Sequence, residues 1–357
     1  MASNSLKLCE IQPGELEEVA RFIQSQMLAP APQVSAVVDR LRWILLENPA
    51  RDPLAPLGWC LRSASGGVVG CMGCTPQEFS FGEKKFSVMV STSFYVEPSN
   101  HGAGASIFLK FLQIARRYPL LVSSANPPVA LMWQKLGGYA IGHSDHEVLG
   151  ILRWKPVIAE AAYRKSGSAL FGQAAGTLAA PWMDWLRRPR LQIEGCELST
   201  IQSPEEAASL AQQRPRDCLT SLRDASYLKW RYFSAGDATA RIFTFRHRLS
   251  EKPYLVAVNL RHRSYAAQIA TLNVLDICGE PRPESYAGIA ACLAEQYGDQ
   301  IDMIVFRCLD QPSREALQAK GFLVRAFAAP IAWCIDKFGL LPSKNWYLVP
   351  ADGDMML

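Results

Sequence analysis

The feature that most constrains this fold is a recurrence within the sequence. Leu41-Arg42-Trp43 stands before one set of strand-like runs and Leu228-Lys229-Trp230 before another, an offset of 187 residues. Lys135-Leu136-Gly137 opens the last strands of the first half, and Lys320-Gly321-Phe322 opens those of the second, an offset of 185. A near-constant offset with the same order of elements between its ends implies one supersecondary plan used twice. At 357 residues the chain is long enough for two hydrophobic cores. We therefore expect two related domains, residues 1–154 and 196–357, joined by a linker or connecting helix at 155–195.

Periodicity fills in the plan. Residues 13–26 carry Leu16, Val19, Ala20, Phe22 and Ile23 at helical steps, and a second helical pattern, 34–47, stops at Asn48-Pro49. Strand-like runs follow at 57–62, at 68–74 after the turn Ser65-Gly66-Gly67, and at 85–96. A glycine-rich turn leads to a helix at 105–116, a short strand at 120–124, a helix at 127–136 and strands from Tyr139. The second half repeats the order: helix 222–233, strands 240–246, 254–260 and 267–276, helix 284–297, strand 304–308, helix 313–319 and strand from Phe322. This succession predicts an α+β fold.

Composition excludes several classes of function. The balance of 37 Lys and Arg against 33 Asp and Glu is mild and most charges are scattered, so no nucleic-acid partner is expected. Ten cysteines lack the spacing of a small secreted scaffold and read as buried thiols of a reducing compartment. Cys71-Met-Gly-Cys74 is a lone CxxC in a strand context, so no metal is expected. Residues 1–15 contain no apolar core of a signal peptide, so a cytoplasmic chain is expected. Residues 166–183 carry no charge and Arg187, Arg188 and Arg190 follow, but the stretch is too weakly apolar to span a bilayer. It reads either as an interfacial helix over 166–190 anchored by Trp182 and Trp185, or as a segment packed on both domains. Its Gly, Ala and Ser content and Pro181 favour the second.

The chemistry concentrates at Val96-Glu97-Pro98-Ser99-Asn100-His101-Gly102-Ala103-Gly104-Ala105-Ser106, a strand end, a turn of small residues and a helix start. Backbone N–H groups at a helix N-terminus favour an anion. Gly102 and Gly104 let phosphate oxygens approach, although glycines serve a tight connection equally well. The segment resembles motif A of the GNAT superfamily of acyl-CoA-dependent N-acetyltransferases, Arg/Gln-x-x-Gly-x-Gly/Ala, with His101, Gly104 and Ser106 at its three positions. Downstream, Asn126-Pro127-Pro128-Val129-Ala130-Leu131-Met132-Trp133-Gln134-Lys135-Leu136-Gly137-Gly138-Tyr139 resembles motif B, Asn-x-x-Ala-x-x-x-Tyr-x-Lys-x-Gly-Phe.

The resemblance implies two GNAT-like domains, each a mixed, mostly antiparallel sheet flanked by helices. It implies acetyl-CoA or another acyl-CoA as co-substrate across splayed central strands. Val96, His101, Gly102, Ala103, Gly104, Ala105 and Ser106 then surround the pyrophosphate, and Asn126 and Trp133 stand along the pantetheine arm. A backbone N–H around 94–96 would polarise the thioester carbonyl. Trp133 replaces the tyrosine that protonates the leaving thiolate in many members, and an indole only donates. Tyr95 and Tyr139 are the substitutes. For a general base, Glu97 lies beside the loop, and His143, Asp145 and His146 follow the last motif-B strand, where a polar hairpin turn is the alternative.

In the second half, Gly279-Glu280-Pro281-Arg282-Pro283 replaces the glycine turn, and its prolines remove donors, so no CoA is expected there. Residues 223–232, Trp346 and the pair Asp352 and Asp354 resemble GNAT-like proteins of bacterial polysaccharide biosynthesis. The function implied is acyl transfer to an amine or hydroxyl of a small-molecule or saccharide acceptor. A non-catalytic tandem-GNAT assembly protein and a Fem-like aminoacyl transferase are the alternatives, and homo-oligomerisation stays open.

Overall fold

The computed structural model describes residues 6–27, 32–187, 189–191, 195–211, 217–234, 239–247, 252–264, 268–279 and 282–353. The first half runs β1 (Lys7–Glu10), α1 (Leu16–Gln26), α2 (Val34–Leu45), β2 (Gly58–Arg62), β3 (Val68–Phe81), β4 (Lys84–Val96), α3 (Gly104–Gln113), β5 (Leu120–Val122), α4 (Pro127–Lys135), β6 (Tyr139–Ala140) and β7 (His146–Ile151). A helical hairpin follows, α5 (Trp154–Ser166) and α6 (Ala169–Arg187). The second half runs β8 (Cys196–Thr200), α7 (Pro204–Ala211), β9 (Leu219–Ser221), α8 (Ala225–Leu228), β10 (Ala240–His247), β11 (Tyr254–Ser264), β12 (Gln268–Cys278), α9 (Pro283–Tyr297), β13 (Met303–Arg307), α10 (Gln311–Ala319), β14 (Leu323–Ala326), β15 (Trp333–Ile335) and β16 (Trp346–Tyr347).

These strands form two mixed, mostly antiparallel sheets; the first takes β9, β15 and β16 from the second half, and the second takes β7 from the first. The first is ordered β1-β2-β3-β4-β5-β15-β6, with β9 and β16 added at the far end of β3; the second is ordered β14-β7-β13-β12-β11-β10-β8. Thus β15 lies between β5 and β6, pairing Trp333 with Val122 and Ala140, while β7 lies between β13 and β14, pairing Val148 with Phe306 and Val324. The exchange is reciprocal; β15 is buried throughout, and β7 is buried over most of its length, with Val148–Ile151 apolar after His146 and Glu147.

The tryptophans of the sequence recurrence meet at the centre of this symmetry. Trp43 Nε1 donates to the Trp230 carbonyl at 2.9 Å, Trp230 Nε1 donates to the Trp43 carbonyl at 2.8 Å, and the rings stack 4.9 Å apart. A contact in which residue i does to j what j does to i is the signature of a twofold relation. The second landmark resolves into a pair of helix C-caps. Gly137 after α4 and Gly321 after α10 take left-handed φ of +86° and +93°, angles that favour glycine.

Local expectations hold where hydrophobic period and capping agree. Asn126 and Asp310 cap α4 and α10 from the same position, accepting from Val129 N and Ser313 N at 3.0 and 2.9 Å. The helix expected at 222–233 is instead a short α8 followed by π-helical Lys229–Phe233. Residues 154–187 form a helical hairpin. α6 continues through Pro181, and the α5–α6 hairpin packs on the second sheet through Val157, Ile158 and Met183 beside Leu149, Met303 and Leu323.

Candidate functional site

The candidate site is a fork in the first sheet. β4 and β5 run parallel and pair at Met89–Leu120 and Val90–Leu121, and beyond those pairs the strands part. Two features push β4 away. Its register against β3 shifts between Cys71 and Gly73, and Ser93 in the bulge takes φ +52°, strained for a residue with a Cβ. The opened space is a cleft of about 370 Å³. Thr92, Ser93, Phe94 and Tyr95 line one wall, Val122, Ser124, Ala125 and Asn126 the other, and Arg40, Phe108 and Trp133 also border it.

The glycine-rich loop lies at the end of the β4 wall. Residues 98–103 form a 3₁₀ turn that winds directly into α3, so helical structure begins well before the expected start at residue 105. Its i→i+3 bonds engage some of the loop's own N–H groups. Glu97 opens the turn, its backbone N–H donating to the Val69 carbonyl at 3.0 Å and its carboxylate accepting from Asn100 Nδ2 at 3.1 Å. Ser106 Oγ donates to the Ala103 carbonyl at 2.6 Å. The two glycines serve different ends. A Cβ on Gly104 would sit 3.0 Å from Val96 Cγ2 and 3.6 Å from Phe94 Cζ, so this glycine lets α3 close onto β4. A Cβ on Gly102 meets nothing within 4 Å, so the space above it is free for a ligand. The His101 side chain lies outside the described residues.

The remaining residues singled out in the sequence divide by position. Asn126 is exposed on the cleft wall, with Oδ1 committed to capping α4. Trp133 is 1% exposed and packs against Phe108 and Phe111 with ring centroids 5.5 and 6.2 Å away. It is a wall of the core as well as of the cleft. Tyr139 lies elsewhere, in the cluster with Phe79, Val88 and Trp346, whose Nε1 donates to its hydroxyl at 3.2 Å. Burial first, and then Cys334, push the Tyr139 phenol far above its ordinary range. His143 is exposed in a turn at φ +66°. His146 and Asp145 pair at 2.8 Å, with Arg314 of α10 3.6 Å from Asp145, at the start of β7. The structure therefore gathers Tyr95, Asn126 and Trp133 on the cleft and Val96, Glu97 and 102–106 beside it, and leaves Tyr139 and His143 apart. Arg40 and Ser124 were missed, because neither belongs to a motif and only the tertiary fold brings α2 to the cleft. Cys71 and Cys74 belong to different cores on β3, and burial pushes both thiols up.

A smaller hollow of about 30 Å³ shares Thr92 with the cleft. It lies where the two halves meet, between Asn48, Thr75 and Gln77 of the first and Tyr227, Trp230 and Arg231 of the second. Asn48 Nδ2 donates to Thr75 Oγ1 at 2.7 Å, whereas Gln77 Nε2 is buried with no hydrogen-bond partner.

The second sheet has the equivalent fork, and the chain itself fills it. β12 and β13 pair in parallel from Thr271–Met303 to Asn273–Val305 and then part. The space between them retains only about 30 Å³ and is bordered by Tyr347, Leu348, Val349 and Pro350. Tyr347 donates its hydroxyl to the Ile277 carbonyl at 2.8 Å. Behind it, fully buried Arg223 donates to Asp276 at 2.6 Å and to Asp352, with Tyr227 4.3 Å beneath the guanidinium. Burial opposes the Arg223 charge, and the two carboxylates outweigh it, raising the pKa further. The segment 223–232 and Asp352 are thus used in packing; Asp354 lies outside the described residues.

No protein-family model matches the sequence, and no curated protein matches it. Solved structures match its fold. A probable N-acyltransferase of Enterococcus faecalis V583 is similar at TM-score 0.55 and 9% identity, over 92% of this chain and 72% of that one. Saccharomyces cerevisiae N-myristoyltransferase with bound myristoyl-CoA is similar at TM-score 0.56 and 10% identity, over 94% and 80%. A GCN5-related N-acetyltransferase of Anabaena variabilis is similar at TM-score 0.54 and 13% identity, over 92% and 72%. With its two mixed sheets, the chain has the α+β, GNAT-like fold of these N-acyltransferases.

Proposed function

We propose that the chain transfers an acyl group from acyl-CoA to an amine or hydroxyl of a small, hydroxyl-rich acceptor of saccharide type, in the cleft between β4 and β5. The observation that carries this reading is the open fork, with a bulged strand on one side and a helix N-terminus at its end. The pyrophosphate rests on the first turn of α3 beside Gly102, and the pantetheine arm passes Asn126 and Trp133. The acceptor nitrogen or oxygen attacks the thioester carbonyl carbon, the C–S bond breaks, the acceptor gives up its proton and CoA departs as the thiol. A backbone N–H near the Ser93 bulge polarises the carbonyl. Trp133 cannot give the thiolate its proton, and Tyr139 lies outside the cleft, so Tyr95 takes that role. Among the described residues lining the cleft there is no carboxylate or histidine, so the acceptor proton leaves through water. The hollow past Thr92 has room for only one or two water-sized groups, and there the buried Gln77 Nε2 offers a donor to a single hydroxyl of the acceptor.

The test is calorimetric titration with acetyl-CoA and longer acyl-CoAs, followed by thiol release in the presence of amino sugars. We expect saturable binding that Gly102→Glu weakens at least about tenfold, because it sets a carboxylate against the phosphates without a packing clash. Gly104 is the poorer choice, since any side chain there disturbs Val96. Absence of binding to every acyl-CoA would sink the proposal and favour a non-catalytic assembly role.

A further inference from the structure

The α5–α6 hairpin presents a surface that acyl transfer does not use. α6 meets α5 through its small residues: a Cβ on Gly172 would lie 2.6 Å from the Ala159 carbonyl, and one on Gly176 would lie 2.7 Å from the Lys155 carbonyl. With the small side of α6 turned to α5, its large side chains turn to solvent. Leu170, Phe171, Leu178, Trp182 and Trp185 fall within about one third of the helix circumference. They are 81, 59, 77, 69 and 78% exposed, an apolar face where a soluble surface helix ordinarily shows charge.

We infer that this face docks the protein on an anionic lipid surface, with α6 lying flat among the headgroups. Charge favours that occupant. Residues 155–190 carry six Lys and Arg against two Asp and Glu, a surplus of four that equals the surplus of the entire chain. The two acids are engaged within the hairpin, Glu160 with Arg164 at 2.8 Å and Asp184 with the Trp154 backbone N–H at 3.2 Å. Lys155, Arg164, Lys165 and Arg190 are exposed beside or beyond the ends of the apolar face. The Arg188 placement and the Arg187 side chain lie outside the described residues. A second copy of the chain fits less well, because a twofold contact through this face would set the basic surplus against itself. Trp182 and Trp185, edge to face at 6.4 Å, are the side chains that settle at a membrane–water boundary. Among the described residues no helix is long and apolar enough to cross a membrane, so the contact is with one surface.

Flotation of the full chain with vesicles tests this independently of any acyl-CoA result. Vesicles of phosphatidylcholine alone are compared with vesicles containing about one third phosphatidylserine, at low and high salt. The chain should float with the anionic vesicles, less so at high salt. The double variant Trp182→Ser, Trp185→Ser should lose at least about tenfold in partitioning. Both rings are exposed, so its circular dichroism and melting temperature should match the parent. Lys165→Glu should weaken the binding by a smaller factor. Failure of the parent chain to float, or unchanged flotation of the double variant, would overturn the inference. So would a concentration-dependent dimer in sedimentation that the double variant abolishes, since the face would then be a contact between copies.

Discussion

The two halves share one fork, and the contrast lies in what occupies it. In the first sheet, β4 and β5 part around a cleft of about 370 Å³, lined among the described residues by apolar side chains, hydroxyls, an amide and one cation. In the second, β12 and β13 part around residues 347–350, and only about 30 Å³ remains. The open fork is held apart by backbone: a bulge, a left-handed Ser93 and a glycine that lets α3 approach. The filled fork is held together by buried charge, Arg223 between Asp276 and Asp352. One plan thus yields an open cleft where the strands are left unfilled and a brace where the chain returns to fill them. The reciprocal strands β7 and β15 tie the two so closely that neither sheet is complete without the other half.

The largest effect should come from the brace. Arg223→Met leaves two carboxylates buried without their cation, and breaking such a cluster costs about 3–5 kcal/mol. Urea denaturation should show that loss, while acyl-CoA affinity of the folded variant stays that of the parent. A cost below about 1 kcal/mol, or a changed affinity, would dissolve the distinction between a filled structural fork and an open binding one.

The open fork is tested through Tyr95. If it protonates the leaving thiolate, Tyr95→Phe should lower kcat on the order of 10²-fold with little change in KM, and the deficit should shrink with a thioester whose thiol is more acidic. An equal loss for both leaving groups would leave Tyr95 a wall residue only.

Much of the fold could be read in the sequence because period and caps are local. The amphipathic helices and the glycine-rich turn announce themselves within a few residues. The twofold relation was visible through Trp43 and Trp230, because the residues that make its central contact are the recurring ones. The exchange of β7 and β15 was not, since an apolar strand fits either sheet and pairing partners lie up to 215 residues apart, as Ile335 and Leu120 do. Of the site, the loop and motif-B residues were legible as a pattern. Arg40, Ser124 and the plug at 347–350 reach their forks only through tertiary packing, and Tyr139 shares a motif with Trp133 yet faces another core.

The smallest effect should separate the forks by pH. Tyr118, just before β5, donates its hydroxyl to Asp52 at 2.6 Å and so anchors one wall of the open fork from outside. That hydrogen bond, with the Leu54 N–H, lowers the Asp52 pKa below 3.8, so its contribution is present above that value and is lost as pH falls through the lowered one. Burial, and then the Asp52 carboxylate, push Tyr118 up to about 12 from 10.0. A raised pKa favours the protonated form in the folded state, so this contribution is full below pH 10.0 and disappears as pH rises towards about 12. Tyr118→Phe should therefore lower the melting temperature by on the order of two degrees near neutrality and flatten the alkaline decline. Burial also raises Tyr227 and Tyr232 beside the Arg223 brace, and the guanidinium partly offsets that rise, so Arg223→Met should sharpen the alkaline decline rather than flatten it. If the two variants shift it alike, the alkaline sensitivity belongs to the molecule as a whole and not to the open fork.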